Sequence, residues 1–245
     1  MGRKILDYQE YEQVRSQVMG RGFVIAIDGP SGSGKSSVSR QVAAVLDMGY
    51  LDTGAMYRSV AWWCQYKNVD FSDESAIVAC VKDVEIKVNA VPHAPRFFVG
   101  GMDVKDVIRQ PSISNIVSSV STIPAVREVL ISAQRAIIEE AKASGRGIVV
   151  EGRDITTVVA PDAAVRILLT ASEEVRLQRR SLDDWGSQGP DAIEASRDIV
   201  LGRDEKDMTV ANFADAAPGV ERIDSSDLSL HETVDAVVYT IGRKV

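Results

Sequence analysis

Gly29, Pro30, Ser31, Gly32, Ser33, Gly34, Lys35, Ser36 and Ser37 hold the densest chemical signal in the chain. From Gly29 to Ser36 they fit the pattern glycine, any four residues, glycine, lysine, serine. Closely spaced glycines let backbone N–H groups turn inward around phosphate oxygens, at the positive end of a following helix. Lys35 then reaches the β- and γ-phosphates, and the Ser36 hydroxyl can enter a Mg²⁺ shell. The expected ligand is ATP with Mg²⁺.

Two uses of such a loop compete: a hydrolytic switch or motor, and a kinase that hands the γ-phosphoryl group to a small acceptor. A guanine-reading switch needs a lysine after Asn or Thr, and no lysine in the chain has one. Glu151 ends an apolar run, as a motor's metal-associated acid does, but Arg153 and Asp154 follow it closely and suggest substrate binding as well. Arg58, Arg127, Arg153, Arg176, Arg179, Arg180 and Arg203 favour the kinase. Each falls near the predicted carboxyl end of a strand or in an adjoining helix, where open α/β sheets bind ligands. Phosphoryl transfer is mostly alignment and charge stabilisation, which forked guanidinium groups supply. A monophosphate acceptor is already an anionic nucleophile, so no protein nucleophile is required.

The elements that must position these residues follow an α/β rhythm. FVIAID reads as a central parallel strand buried on both faces, and Val38, Val42 and Val45 mark the helix after the loop. GYLDTG reads as a second strand, followed by a helix through Met56, Val60 and Trp63. Val84, Ile86 and Val88, then RFFVG and MDV, predict a small antiparallel insert at about 71–121. Thr122 and Pro124 open a long helix with a predicted stripe of Val126, Leu130, Ala133, Ile137 and Ala141. GIVVEG and VRILLT are further buried strands, and Thr170-x-x-Glu173 looks like a capping box. Ile193 to Lys206 is predicted helical, ERID is a last strand, and Ser229-x-x-Glu232 opens the final helix. The expected fold is a phosphate-loop parallel sheet flanked by helices, with right-handed crossovers. Residues 1–21 read as an N-terminal extension holding a weakly anchored helix, and 22–245 as the working domain.

Composition narrows the class. Of 245 residues, 28 are Lys or Arg and 35 are Asp or Glu, giving a net charge of −7. That balance argues against a nucleic-acid binder, which needs a basic surface to displace counterions. Cys64 and Cys80 form no close-spaced pair and suit a reducing compartment. No apolar run approaches the ~18 residues of a membrane span. The expectation is a monomeric cytoplasmic protein without a membrane partner.

GPSGSGKS, LDTGAMYR, PAVRE, EGRDITTVV and RDEKD together resemble the bacterial cytidylate (CMP/dCMP) kinases, in order from about Phe23 to the C-terminus. The resemblance implies phosphoryl transfer from ATP to CMP or dCMP. It puts Thr53, Tyr57 and Arg58 at the monophosphate site, with Arg58 on the acceptor phosphate. Ser118, Arg127 and Asp154 would address cytosine, and Arg203 and Asp207 the ribose. Lys35, Arg153, Arg176 and Arg180 would be the catalytic cations. The insert would bind the monophosphate, and a lid at about 176–190, with Arg179, would close over ATP. For the base, a carboxylate accepts from the N4 amino group of cytosine but opposes O4 of uracil. One departure stands out. Family members commonly carry an arginine three residues beyond the ribose-binding aspartate, where this chain has Val210, and Lys206 is expected to supply the missing charge.

Overall fold

The computed structural model describes residues 5–245. Helix α1 (Tyr8–Val18) leads to β1 (Val24–Asp28), α2 (Lys35–Val45), β2 (Gly49–Asp52) and α3 (Thr53–Tyr66). An excursion follows, with α4 (Glu74–Lys82), β3 (Ile86–Asn89), β4 (Arg96–Val99), β5 (Met102–Asp103), a 3₁₀ turn at Val107–Arg109, α5 (Pro111–Ile116) and α6 (Ser118–Ser121). The chain returns through α7 (Pro124–Ala143), β6 (Ile148–Gly152), a π-helical turn at Ile155–Val159 and β7 (Val165–Thr170). It ends with α8 (Glu173–Trp185), α9 (Pro190–Met208), β8 (Glu221–Asp224) and α10 (Leu230–Gly242).

Five strands form a parallel sheet in the order β2-β6-β1-β7-β8. β1 and β6 are buried at every residue, as the continuous apolar runs require for strands covered on both faces. Their register pairs Val24 with Ile148 and Asp28 with Gly152. That alignment brings the phosphate loop after β1, Thr53 after β2 and Arg153 after β6 to one edge of the sheet. One core packs the sheet against α3, α7 and the excursion, through Met56, Phe97, Ile108 and Leu130. The other packs α1, α2 and α10 against the opposite face, through Val18, Val42, Leu46 and Ile241. Each fully buried side chain of this size contributes roughly 1.5–3 kcal/mol.

Local details correct several expectations. The N-terminal helix is firmly docked: a reciprocal Asp7–Glu10 capping box starts it, and Leu6, Val14 and Val18 are buried. Its Tyr11 hydroxyl donates to the fully buried Asp235 at 2.5 Å. The first four residues of the 1–21 extension lie outside the described residues. The insert has its antiparallel sheet, β3-β4-β5, but also α4, α5, α6 and a 3₁₀ turn, so more of it is helical than its alternating stretches suggest. Its first strand starts at Ile86 and leaves Val84 outside. On α7 the most buried line is Val126, Leu130, Gln134 and Ile138; Ala133, Ile137 and Ala141 flank it. The buried polar Gln134 hid that line. Ser172, not Thr170, caps α8, because Thr170 is still paired in β7 with Asp224 as its partner. The Ser229–Glu232 capping box forms as expected. Among the described residues, no single helix is long and apolar enough to cross a membrane.

Candidate functional site

The phosphate loop is shaped by its glycines and by one carboxylate behind it. Gly34 begins α2 at φ 86°, in the left-handed region that glycine enters without steric cost. A Cβ on Gly29 would lie 2.2 Å from the Leu169 carbonyl oxygen, so the loop hugs the end of β7. Asp204 on α9 accepts from Ser31 N at 3.0 Å and from Arg153 Nη2 at 2.9 Å, and it also pairs with Arg176. Arg176 Nη1 donates to the Ser31 carbonyl at 3.0 Å, and Arg179 Nη1 to the Ser33 carbonyl at 3.2 Å. Arg153 completes the brace through the Gly29 carbonyl at 2.6 Å and Asp207 at 3.1 Å. Its guanidinium also lies over the Phe213 ring.

Lys35 and Glu151 sit together at the front of the loop. Lys35 Nζ donates to the Pro30 carbonyl at 3.1 Å. Ser36 Oγ donates to Glu151 at 3.0 Å, and Tyr50 Oη to the other Glu151 oxygen at 2.5 Å. Burial, then the charge of Asp52, pushes the Glu151 carboxyl up to about 7. Burial, then Arg153, pushes the Lys35 ammonium down to about 8, against the pull of Glu151. Burial thus weakens the charged form of both groups.

Lys35 and Glu151 line a cleft of about 450 Å³, which is also lined by Arg58, Arg127, Asp154 and Arg203. Arg58 is 8% exposed and makes no hydrogen bond among the described residues; Asp52 is the carboxylate that acts on it. Burial, then Arg203 and Arg109, pushes its guanidinium down from the ordinary arginine range. Arg127 and Asp154 form a buried ion pair in the same cleft, beside Tyr57. Burial keeps the Tyr57 phenol protonated well above its usual range. Arg203 pairs with Asp207 at 3.6 Å. Thr53 Oγ1 donates to the Glu151 carbonyl at 2.8 Å.

The cleft therefore brings together Gly32, Gly34, Lys35, Ser36 and Ser37 with Thr53, Tyr57, Arg58, Arg127, Arg153, Asp154, Arg180, Arg203 and Asp207. Gly29, Pro30 and Ser33 form the loop's backbone support, while Ser31 reaches its rim. Ser118 is buried at the start of α6 and does not line the cleft; its neighbours Val117 and Ser121 do. Arg176 stands behind the loop as a brace. Arg176 pairs with Asp204, Arg180 with Asp184 at 2.7 Å, and Arg179 with Ser225. Val210 lines the cleft, but Lys206 is exposed and outside it. The helix ends at Met208, so the four-residue spacing that would align Lys206 with Val210 is lost.

Sequence reasoning missed Asp204, Arg109, Asp52 and Asp28. Asp28 accepts from the Ile155 and Thr156 backbones and from the Thr156 hydroxyl, fixing the π-helical turn that carries the loop after Arg153. Burial outweighs these bonds and raises its carboxyl above the ordinary range. The available signal was an acid closing an apolar strand just before a glycine loop. For Asp204 it was a second acid in RDEKD. Arg109 sits among residues with no pattern to mark it.

Comparison with known proteins points to one family. Residues 25–243 match the family model for cytidylate kinase. The chain is 42% identical over 223 residues to a protein named cytidylate kinase from Streptomyces avermitilis, covering 90% of this chain and 93% of that one. It is 40% identical over 237 residues to a cytidylate kinase from Streptomyces griseus, covering 96% and 97%. A cytidylate kinase from Geobacillus kaustophilus is 37% identical over 229 residues, covering 93% of this chain and all of that one.

Proposed function

The chain belongs to the cytidylate kinase family, whose members move the γ-phosphoryl group of ATP to CMP or dCMP, and we propose that its cleft divides this work between two opposed walls. Lys35 and the loop's N–H groups hold the β- and γ-phosphates of ATP on one wall. Arg58 holds the acceptor phosphate on the other. An acceptor oxygen attacks the γ-phosphorus in line, the bond to the β-phosphate oxygen breaks, and ADP leaves with the electron pair. Arg180 and Arg203, both on the cleft, offset charge as it spreads over the transferring group. Arg153 and Arg176 act by bracing the loop. The observation that carries the reading is Arg58, a buried cation that shares Asp52 with Arg109 and makes no hydrogen bond of its own among the described residues, in a cleft lined by a loop built for phosphates.

Arg127 and Asp154 are assigned to cytosine. Asp154 accepts from N4, and Arg127 donates to N3 or O2 once the base opens their ion pair. Tyr57 packs beside them, and Asp207 with Arg203 faces the ribose. The residues fit Mg²⁺ arriving with ATP: the Ser36 hydroxyl and the Glu151 carboxylate offer adjacent oxygens, and no three-ligand protein cage exists among the described residues. Bound there, Mg²⁺ would neutralise charge on the β- and γ-phosphates.

Residues 71–121 are proposed as the acceptor-binding insert, and about 176–190 as the lid. The reading extends to a cytoplasmic monomer without a nucleic-acid partner, supported by the acidic balance. A coupled ADP-release assay with CMP, dCMP, UMP, AMP and GMP, one at a time, tests it. Turnover with CMP or dCMP at least tenfold above the others is expected. ATP hydrolysis indifferent to any monophosphate would refute it.

A further inference from the structure

Arg109 ends the 3₁₀ turn of the insert, and the fully buried Ile108 beside it pins that turn into the core. Its side chain is 52% exposed and lines the cleft. One Nη2 donor reaches Asp52 at 2.9 Å, and among the described residues its Nε and Nη1 donate to nothing. Burial alone would raise the Asp52 carboxyl; Arg109, the Ala55 N–H, Arg58 and Lys35 together hold it below its ordinary range. Asp52 is itself fixed, because it also accepts from Ala55 N at 2.8 Å and caps α3. Arg58 sits on α3 six residues along the chain, close enough for Arg109 to oppose its charge. The local count is uneven. Asp52 balances one guanidinium of the two, while Arg180 has Asp184 and Arg203 shares Asp207 with Arg153.

We propose that Arg109 is a second guanidinium for the acceptor phosphate, delivered by the insert and gripping the anion beside Arg58 with the donors that Asp52 leaves free. This rests on the reading of the cleft as a CMP site. A phosphate monoester dianion balances the surplus charge and accepts from both forks, so acceptor binding is tied to the position of the insert.

The test uses the full-length enzyme and the variants Arg109→Ala and Arg109→Lys. KM is measured for CMP and for ATP, together with the inhibition constant of cytidine, which has the base and ribose but no phosphate. A charge-assisted hydrogen bond predicts a ~10- to 100-fold rise in the CMP KM of Arg109→Ala, with ATP KM and cytidine inhibition within about twofold of wild type. Arg109→Lys recovers part of the loss. The double variant Asp52→Asn/Arg109→Ala separates a lost phosphate contact from an orphaned carboxylate: the CMP KM stays high in the first case and returns toward wild type in the second. An unchanged CMP KM in Arg109→Ala overturns the proposal, as does a parallel loss of cytidine affinity or rescue by Asp52→Asn. If the wild-type enzyme does not phosphorylate CMP at all, the reading of the cleft has failed instead.

Discussion

Replacing Asp204 tests whether the phosphate loop is shaped from behind. The carboxylate is 4% exposed and carries three partners: the Ser31 N–H, Arg153 and Arg176. In Asp204→Ala, Arg153 keeps Asp207 and the Gly29 carbonyl, but Arg176 keeps the Ser31 carbonyl alone. Ser31 N loses its acceptor. Removing one partner of a buried ion pair costs about 3–5 kcal/mol, because the other charge stays behind. In a chain of this size each kcal/mol moves Tm by about 2–4 °C, so the expected drop is ~6–20 °C. The loop loses a fixed backbone at Ser31, so the ATP KM should also rise, by about tenfold for a loss near 1.4 kcal/mol. Asp204→Asn keeps an oxygen for Ser31 but no charge for the arginines, and should fall between wild type and alanine. Thermal melts with and without ATP, beside steady-state kinetics, read both effects. A Tm within about 2 °C of wild type for Asp204→Ala, or an unchanged ATP KM, would refute the bracing argument.

Asp154→Asn should flatten discrimination between CMP and UMP, because the amide can turn its N–H toward uracil O4; an unaltered ratio of kcat/KM for the two would place base reading elsewhere. Lys35→Met should lower kcat by at least about 100-fold with the fold intact by circular dichroism, since a charge at the developing γ-phosphate anion is lost, and turnover within tenfold of wild type would remove Lys35 from the cradle. The depressed Lys35 ammonium loses its proton as pH rises through about 8, so kcat/KM for ATP, which reports the free enzyme, should fall above that pH. Lys35→Arg should remove that basic limb, and a limb left in place would belong to another group. Lys206→Ala should leave the CMP KM within about twofold, because Lys206 is exposed outside the cleft; a tenfold rise would reinstate it as the substitute for the missing arginine.

The sequence made legible whatever depends on local pattern. β1, the loop and α2 follow from an apolar run, a glycine spacing and a helical stripe, of which Val38 and Val42 are buried and Val45 is exposed, and the parallel sheet follows from their alternation with later strands. Lys35, Ser36, Thr53, Arg58, Arg127, Arg153 and Asp154 reach one cleft because they lie at the carboxyl ends of three adjacent strands or on helices that border them. Partnerships across the fold were not legible. Asp204 meets Ser31 across 173 residues, and Arg109 meets Asp52 across 57, with no periodicity to announce either contact. Single-residue register was also hidden. Gln134 in a buried line displaced the expected stripe of α7, and the helix end at Met208 turned Lys206 away from Val210.

The strand order has a consequence for how the protein is made. β1 leaves the ribosome early, yet its two neighbours are residues 148–152 and 165–170. For most of synthesis, a strand that is apolar except for Asp28, with both hydrogen-bonding edges open, has nothing of its own to pair with. Helix α10 packs on the same face as α2 but follows β8, so that face is also completed late. ATP therefore cannot stabilise a nascent fragment shorter than about the end of β7. A premature stop in α7 would yield a chain that holds the complete phosphate-loop motif and still binds no nucleotide.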